Sequence, residues 1–187
     1  IAVLTIDPSS RATKGSILGD KTRMETLSTK SNVFIRPSPA SNFKGGVEKN
    51  TPESIFLCES AGYEVILVET VGVGQSETSV KDIVDTVILC VQPGGGDTIQ
   101  FMKSGVFEIP DIITVTKSDI ESLSNLTFSD LLASKNYFEK INDWPISIIL
   151  TSSHKNLGFK DLVQNVENRW SWLKKEKRLE KRRSIQD

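Results

Sequence analysis

The chain has 187 residues, 37% of them hydrophobic and 25% charged, which is typical of one ordinary α/β domain with a core of normal size. Its 23 basic and 24 acidic residues leave a formal net charge of -1, so no global field draws it to nucleic acid or to an anionic membrane. No apolar run approaches the roughly 18 residues of a membrane span. We therefore predict a local binding site and no nucleic-acid or membrane partner.

Six short runs rich in β-branched residues alternate with segments of helical spacing. The predicted strands are Ile1–Ile6, Val33–Arg36, Tyr63–Glu69, Thr86–Val91, Asp111–Thr116 and Ile146–Thr151. The predicted helices are Gly19–Ser28, Glu48–Ala61, Asp97–Gly105, Ser129–Ile141 and Phe159–Leu173. Several strands are apolar almost throughout, as expected of parallel strands covered on both faces. The pattern predicts an α/β fold with a mostly parallel, doubly wound sheet and ligands at the carboxyl ends of its strands.

Cys58 and Cys90 lie inside apolar segments, which predicts two buried reduced thiols and a cytosolic or organelle-matrix compartment. The chain opens directly in a strand pattern, without Met or leader, so we expect it to be a piece of something longer. Residues 174–183 hold seven positive and two negative side chains. That run fits a solvated helix or frayed tail, the lead-in to a dimerisation arm, or a phosphate-binding segment.

Carboxylates occur at two predicted strand ends and once in a following segment. Glu69 ends a strand and Gly72 follows three residues later, which fits either an ordinary strand exit or a Mg²⁺ and γ-phosphate switch. Asp7 ends the first strand in a turn or cap signal, and Asp20 could simply lie in the first turn of a helix. As a pair, Asp7 and Asp20 also fit a Mg²⁺ site, because an ion bridging two phosphates collects carboxylates from separate loops.

Thr116-Lys117-Ser118-Asp119 follows a strand at the place where GTPases read guanine. An Asp there accepts hydrogen bonds from guanine N1–H and the 2-amino group, which adenine cannot offer, while a Lys stem packs on the base. Thr stands where Asn is usual. Ser152 and Ser153, after the last strand, suit a loop whose backbone N–H groups meet guanine O6, although serines in a loop are unremarkable. His154, the only histidine, is predicted to be a surface residue.

Four segments resemble the MeaB/ArgK-type GTPases, also called methylmalonyl-CoA mutase-associated or methylmalonic aciduria type A proteins, with the older label LAO/AO transport system kinase. The segments are IDPSSRATKGSILGDKTRM, FIRPSPASNFKGGV, VILVETVGVGQSE and QPGGGDTIQFMKSG. The resemblance runs from Ile1 to about Leu173. It implies a P-loop NTPase-like fold, with residues 1–173 as the GTPase domain and 174–187 as the basic helical start of a C-terminal dimerisation arm.

The resemblance also implies roles for individual residues. Asp7, Asp20 and Glu69 would hold Mg²⁺ and sense phosphate, and Gly72 to Gln75 would form the second switch. Asp7, Glu69 and Gln75 would be the catalytic set. Thr116, Lys117 and Asp119, with Ser152 and Ser153, would hold the base of GTP or GDP. Asp97 and Lys103, in the loop Gly94–Lys103, would belong to a third switch that faces the mutase.

The chain contains no G-x-x-x-x-G-K-[S/T] segment, the loop that cradles phosphates in such enzymes. By the resemblance this loop lies just before Ile1, so we expect the first strand, the P-loop and the first helix to be missing here, and nucleotide binding by the chain alone to be weak or nil.

For the parent protein we expect a GTPase that gates adenosylcobalamin loading or protection of an acyl-CoA mutase, as a homodimer, in the bacterial cytoplasm or the mitochondrial matrix. A non-catalytic mutase-binding module and a transport-associated kinase or ATPase remain alternatives.

Overall fold

The computed structural model describes residues 1–8, 24–40, 50–70, 77–94, 109–139 and 143–186. At positions 7–8, 39–40, 77–79 and 136–139 only the backbone is described. The chain groups into two compact units, Ile1–Ile83 and Val84–Asp187, and each is considered by itself. The predicted Asp97–Gly105 helix lies outside the described residues, as does the first half of the predicted Gly19–Ser28 helix.

The first unit is built on a three-stranded parallel sheet in the order β2-β1-β3. Its strands are β1 (Ala2–Pro8), β2 (Phe34–Ala40) and β3 (Ile66–Thr70). Its helices are α1 (Glu25–Ser28), α2 (Thr51–Ser60) and a 3-10 helix over Glu77–Asp82. The core forms where Cys58 of α2 packs on Ala2 and Leu4 of β1. Apolar side chains of β3 extend this cluster, so α2 covers one face of the sheet.

The second unit repeats this plan with a three-stranded parallel sheet in the order β4-β5-β6. Its strands are β4 (Ile88–Val91), β5 (Ile112–Val115) and β6 (Ser147–Leu150). Its helices are α3 (Glu121–Glu139), α4 (Phe159–Leu173), a 3-10 turn over Lys175–Lys177, and α5 (Arg178–Gln186). Parallel pairing in both units and the alternation of strands with helices confirm the predicted α/β class.

β5 is the central strand of the second unit, and all four of its residues are buried. Ile113 and Val115 on one of its faces pack with Leu131 of α3, Val91 and Ile146. A strand buried on both faces is expected to be mostly apolar, and the one polar residue here, Thr114, shares a buried hydrogen bond of 2.8 Å with the Thr151 hydroxyl. The loop that leaves β5 is therefore anchored to a fully buried strand of this unit.

Helix α5 is held by an ion pair and a hydrogen bond, whereas a freely solvated helix is one of the sequence-based expectations. Arg183 on α5 pairs with Asp85 at 2.7 Å, and Nε of Arg182 donates to the Val84 carbonyl at 3.2 Å. Both contacts tie α5 to the segment that leads into β4. Basic residues in this helix thus have acceptors in the same unit.

Two predictions need correction. Cys58 is buried as predicted, but Cys90 is exposed. It shares an exposed face of β4 with Ile88, since within the part of the chain that the structure describes β4 pairs only with β5 and is covered on the face of Val91. The helix predicted from Ser129 begins at Glu121. Serine and threonine have weak helix propensity, so the first turns, with Ser124 and Thr127 on their buried side, carry no strong helical signal.

His154 is exposed, as predicted. Among the described residues, no helix is both long and apolar enough to cross a membrane.

Candidate functional site

The loop after β5, residues 116–119, is held by backbone and side-chain bonds from both neighbouring strands; we call it the β5 loop. On one side, the Val91 carbonyl at the end of β4 accepts from Thr116 N at 2.9 Å and from Thr116 Oγ1 at 3.2 Å. On the other side, Ser118 N donates to the Thr151 carbonyl after β6 at 3.0 Å. The loop therefore has a fixed backbone at the carboxyl edge of this sheet, where α/β proteins bind ligands.

Ser124 of helix α3, which is only 1% exposed, contacts the β5 loop and helps to fix it. Its hydroxyl lies 3.3 Å from the Ser118 carbonyl and 3.0 Å from the Ile120 carbonyl. Within the loop, Lys117 has φ 52°, a left-handed conformation that is uncommon for residues other than glycine. Its ammonium Nζ donates to Gln92 Oε1 at 3.2 Å.

Asp119 at the end of the β5 loop is bound by a side chain from the opposite loop. Ser152 is fully buried, and its Oγ donates to Asp119 Oδ1 at 2.5 Å. The same Oγ accepts from Lys155 N at 3.1 Å, so the hydroxyl proton is directed at the carboxylate. Paired backbone hydrogen bonds between Ser152 and Leu157, at 3.1 and 3.0 Å, close the turn that carries this serine.

These bonds favour the ionised form of Asp119. The Ser152 hydroxyl makes the largest contribution to a pKa below the usual value of this carboxyl, followed by a backbone N–H, with His154 and Lys155 adding smaller effects. Because Asp119 is only half-buried, the carboxylate also faces solvent. The arrangement presents an oriented, charged acceptor at the sheet edge, suited to a ligand with two adjacent N–H donors.

The structure thus brings together four predicted residues: Thr116, Lys117, Asp119 and Ser152. The fifth, Ser153, follows directly and is exposed. Sequence reasoning missed Gln92 and Ser124, which hold Lys117 and the loop backbone. The only signal for Gln92 was its position directly after a strand, and a buried serine in a helix gives none.

The predicted metal-binding and catalytic residues fall mainly outside the described part. Asp20, Gly72, Gln75, Asp97 and Lys103 lie outside it, and for Asp7 only the backbone is described. Glu69 pairs in register with Thr5, and the ladder ends at Ile6 and Thr70. Asp7 and Glu69 therefore lie near the carboxyl ends of neighbouring parallel strands, where the sequence predicts them.

The residues present fit a Mg²⁺ ion by chemistry. Glu69 offers hard carboxylate oxygens at a half-buried position, which is the ligand type that Mg²⁺ prefers. Its register partner Thr5 is 1% exposed, and among the described residues its Oγ1 has no hydrogen-bond partner, so a polar group beside this pair would satisfy a buried atom. Among the described side chains, no group of three or more His, Cys, Asp or Glu is placed to hold a metal. Of the three predicted carboxylates, only Glu69 has a described side chain, so this observation does not test the predicted metal site.

A cavity of about 530 Å³ opens in the first unit between β2 and α2. It contains none of the predicted site residues, and its lining is largely apolar; Phe34, Arg36, Ser54, Leu57, Cys58 and Tyr63 contribute to it. Burial raises the pKa of the Cys58 thiol, and the nearby Arg36 guanidinium acts in the opposite direction. This chemistry does not match a nucleotide phosphate or a purine edge.

Comparison with known proteins identifies the family. The model of the family described as "Methylmalonyl Co-A mutase-associated GTPase MeaB" matches residues 1–187. The chain belongs to this family. The predicted family resemblance is thereby confirmed.

Several MeaB-family and GTPase relatives are similar over most of the chain. It is 53% identical over 121 residues to a putative GTPase of Caulobacter vibrioides, covering 65% of this chain and 37% of that protein. It is 37% identical over 189 residues to the mitochondrial methylmalonic aciduria type A homolog of Caenorhabditis elegans, covering 100% and 47%. It is 40% identical over 165 residues to GTPase ArgK of Escherichia coli, covering 87% and 50%. The chain thus spans half or less of the length of these relatives.

Among solved structures, HypB from Helicobacter pylori in complex with nickel superposes with a TM-score of 0.60 at 18% identity, covering 90% of this chain and 75% of that one. At this identity the likeness concerns the fold alone. Together with membership of the MeaB family, it confirms the predicted P-loop NTPase-like fold class.

Proposed function

We propose that the protein containing this chain binds GTP through the β5 loop, hydrolyses it with Mg²⁺, and uses the cycle to gate adenosylcobalamin loading or protection of methylmalonyl-CoA mutase or a related acyl-CoA mutase. Membership of the MeaB family supports GTP hydrolysis as the reaction, and the geometry of the β5 loop supports specificity for guanine. The observation that carries the proposal is the Ser152 hydrogen bond to Asp119, because it orients an ionised acceptor at the sheet edge.

Guanine recognition follows from donor and acceptor geometry. Guanine offers N1–H and a 2-amino group side by side, and a carboxylate can accept both hydrogen bonds. Adenine has an acceptor at N1 and no 2-amino group, so it would leave the Asp119 carboxylate desolvated with only the Ser152 hydrogen bond. Lys117 would pack its stem on the base, and Thr116 with Ser153 would frame the pocket. Sites built to hydrogen-bond a substrate group reject analogues that lack it by large factors.

Hydrolysis would take place at the strand ends of the first unit. Asp7, Asp20 and Glu69 would hold Mg²⁺, which neutralises charge on the transferring phosphoryl group when it is bound. Asp7, Glu69 and Gln75 would orient the attacking water in line with the γ-phosphate, and Gly72 would let a backbone N–H approach it. Catalysis of this type depends on positioning and electrostatic stabilisation more than on covalent steps by the protein.

The partner assignment rests on the family, whose name associates it with methylmalonyl-CoA mutase. Asp97 and Lys103 would pass the nucleotide state to the mutase, and residues 174–187 would begin a dimerisation arm. The relatives named as mitochondrial support a matrix location in eukaryotes, with the cytoplasm as the bacterial counterpart. Mutase-stimulated GTP turnover, measured with and without the mutase, would support this role, and co-purification without any effect on turnover would favour a non-catalytic binding module.

Titration calorimetry with GDP and with ADP, each with Mg²⁺, tests nucleotide specificity. For the full-length gene product we expect GDP to bind at least about 100-fold more tightly than ADP. For the 187-residue chain alone we expect weak binding or none, because it contains no phosphate-cradling motif. Equal affinity for ADP would refute guanine recognition and favour the transport-associated kinase reading. Sub-micromolar GDP binding by the chain alone would contradict the second expectation.

A further inference from the structure

Gln92 lies directly after β4 and hydrogen-bonds the β5 loop, but it is not one of the predicted site residues. Its Oε1 accepts from Lys117 Nζ at 3.2 Å. Both side chains are exposed. A hydrogen bond between two solvated groups contributes little to folding, because each partner exchanges it for one with water. The same bond gains strength once a ligand covers it and excludes water.

The backbone on both sides of Gln92 is fixed. The preceding Val91 carbonyl accepts from Thr116, as described above. Two residues later, Gly94 N donates at 3.2 Å to Oγ1 of Thr127, a residue of α3 that is 5% exposed. Gly94 has φ 72°, and a Cβ there would lie 3.1 Å from Leu123 Cδ1, so the chain approaches α3 closely at this point. Gln92 thus projects from a segment held between the β5 loop and α3.

We propose that Gln92 is a positioning residue for guanine-nucleotide binding, which holds the Lys117 side chain in place before the base arrives. A lysine loses much rotamer freedom when it is ordered, and ordering it in advance removes part of that cost from binding. With Nζ held by Gln92, the aliphatic stem of Lys117 lies ready to pack on the base. This inference rests on the proposed guanine-binding function of the β5 loop.

Gln92→Met tests the proposal, since it keeps the length of the side chain and removes the acceptor. In the full-length gene product we expect GDP affinity to fall by about three- to tenfold, which corresponds to the loss of one hydrogen bond of ordinary net strength. Affinity for Mg²⁺–pyrophosphate should not change, because this probe has no base. Combined with Lys117→Met, Gln92→Met should cause no further loss, because its effect passes through Lys117.

Gln164→Met is the matched control: it removes an exposed glutamine of α4 whose amide bonds Asn168 at 3.1 Å. It should leave both affinities and the melting temperature unchanged. Wild-type-like GDP affinity in Gln92→Met, equal losses for GDP and pyrophosphate, or a loss that persists in the Lys117→Met background would each overturn the proposal while leaving guanine binding intact. Failure of the wild-type protein to bind GDP would refute the proposed function, and this inference with it.

Discussion

Asp111→Asn tests the buried ion pair that joins β5 to α4. Asp111 Oδ1 pairs with Arg169 Nη2 at 2.8 Å, and the two side chains are 7% and 4% exposed. Asp111 Oδ2 accepts from Val87 N at 2.9 Å. The amide of Asn keeps the volume and can still accept from Val87, so the substitution removes the charge and the acceptor that faces Arg169.

The cost follows from the cation left behind. Burial lowers the pKa of Arg169, and Asp111 is the main group opposing that effect. Breaking a buried pair on one side costs about 3–5 kcal/mol, because the remaining charge is uncompensated. The Trp144 and Trp172 rings, with centroids 5.3 and 4.6 Å from the Arg169 guanidinium carbon, offset part of this, since each cation–π contact contributes about 0.5–2 kcal/mol. We therefore expect a net loss of about 3 kcal/mol.

Urea denaturation followed by circular dichroism measures this loss as a change in the free energy of unfolding. Glu176→Gln is the control: it removes the exposed partner of Arg178 and should cost less than about 1 kcal/mol. Adding Arg169→Met to Asp111→Asn should recover part of the loss, because the fully buried cation is then gone, while Arg182, whose Nη2 lies 3.7 Å from Asp111 Oδ2, remains without this partner. A cost below about 1 kcal/mol for Asp111→Asn, with no recovery in the double variant, would show that the pair does not hold α4 to β5.

Two further predictions concern the loops around the site. Ser152→Ala removes the main cause of the lowered Asp119 pKa, so that pKa should rise. The contribution of Asp119 to stability is present above the unfolded-state pKa and is lost as the pH falls through the folded-state pKa, so the variant should lose it at a higher pH. NMR titration of the carboxyl group and acid unfolding measure the two effects. An unchanged titration would contradict this. Gly158→Ala should cost at least about 2 kcal/mol in urea denaturation, because φ is 77° and the new Cβ would lie 1.9 Å from a backbone carbonyl oxygen; a neutral effect would refute that geometry.

The sequence predicts the strands well because each is a short run rich in β-branched and apolar residues, although burial on both faces holds for β5 and not for β3 and β4, where Leu67 and Ile88 are exposed. Ile112–Val115 is such a run, with three of its four residues apolar, and its position follows from the local sequence. The start of α3 does not follow from the local sequence. Its buried side carries Ser124 and Thr127, which hydrogen-bond the β5 loop and Gly94 and do not form an apolar stripe. The exposure of Cys90 could not be predicted from the sequence either, because it depends on which faces of β4 are covered.

Residue types identify part of the candidate site, and the remaining contacts require a structure. The carboxylate of Asp119 and the lysine before it are recognisable from their order after a strand. Their supports are not: Ser152 lies in a different loop, and Gln92 follows a different strand. Such contacts arise from strand order, which brings the ends of β4, β5 and β6 to one edge, and no local pattern in the sequence encodes them.

Guanine recognition by Asp119 is tested most directly by Asp119→Asn, measured with GDP and with xanthosine diphosphate in the full-length gene product. Xanthine carries a carbonyl at C2, which an asparagine amide can hydrogen-bond and a carboxylate repels. We expect the variant to lose at least about 100-fold in GDP affinity and to bind xanthosine diphosphate more tightly than the wild type does, while the control Asp130→Asn, on the exposed side of α3, keeps wild-type preference. An Asp119→Asn protein that still prefers GDP would contradict the account.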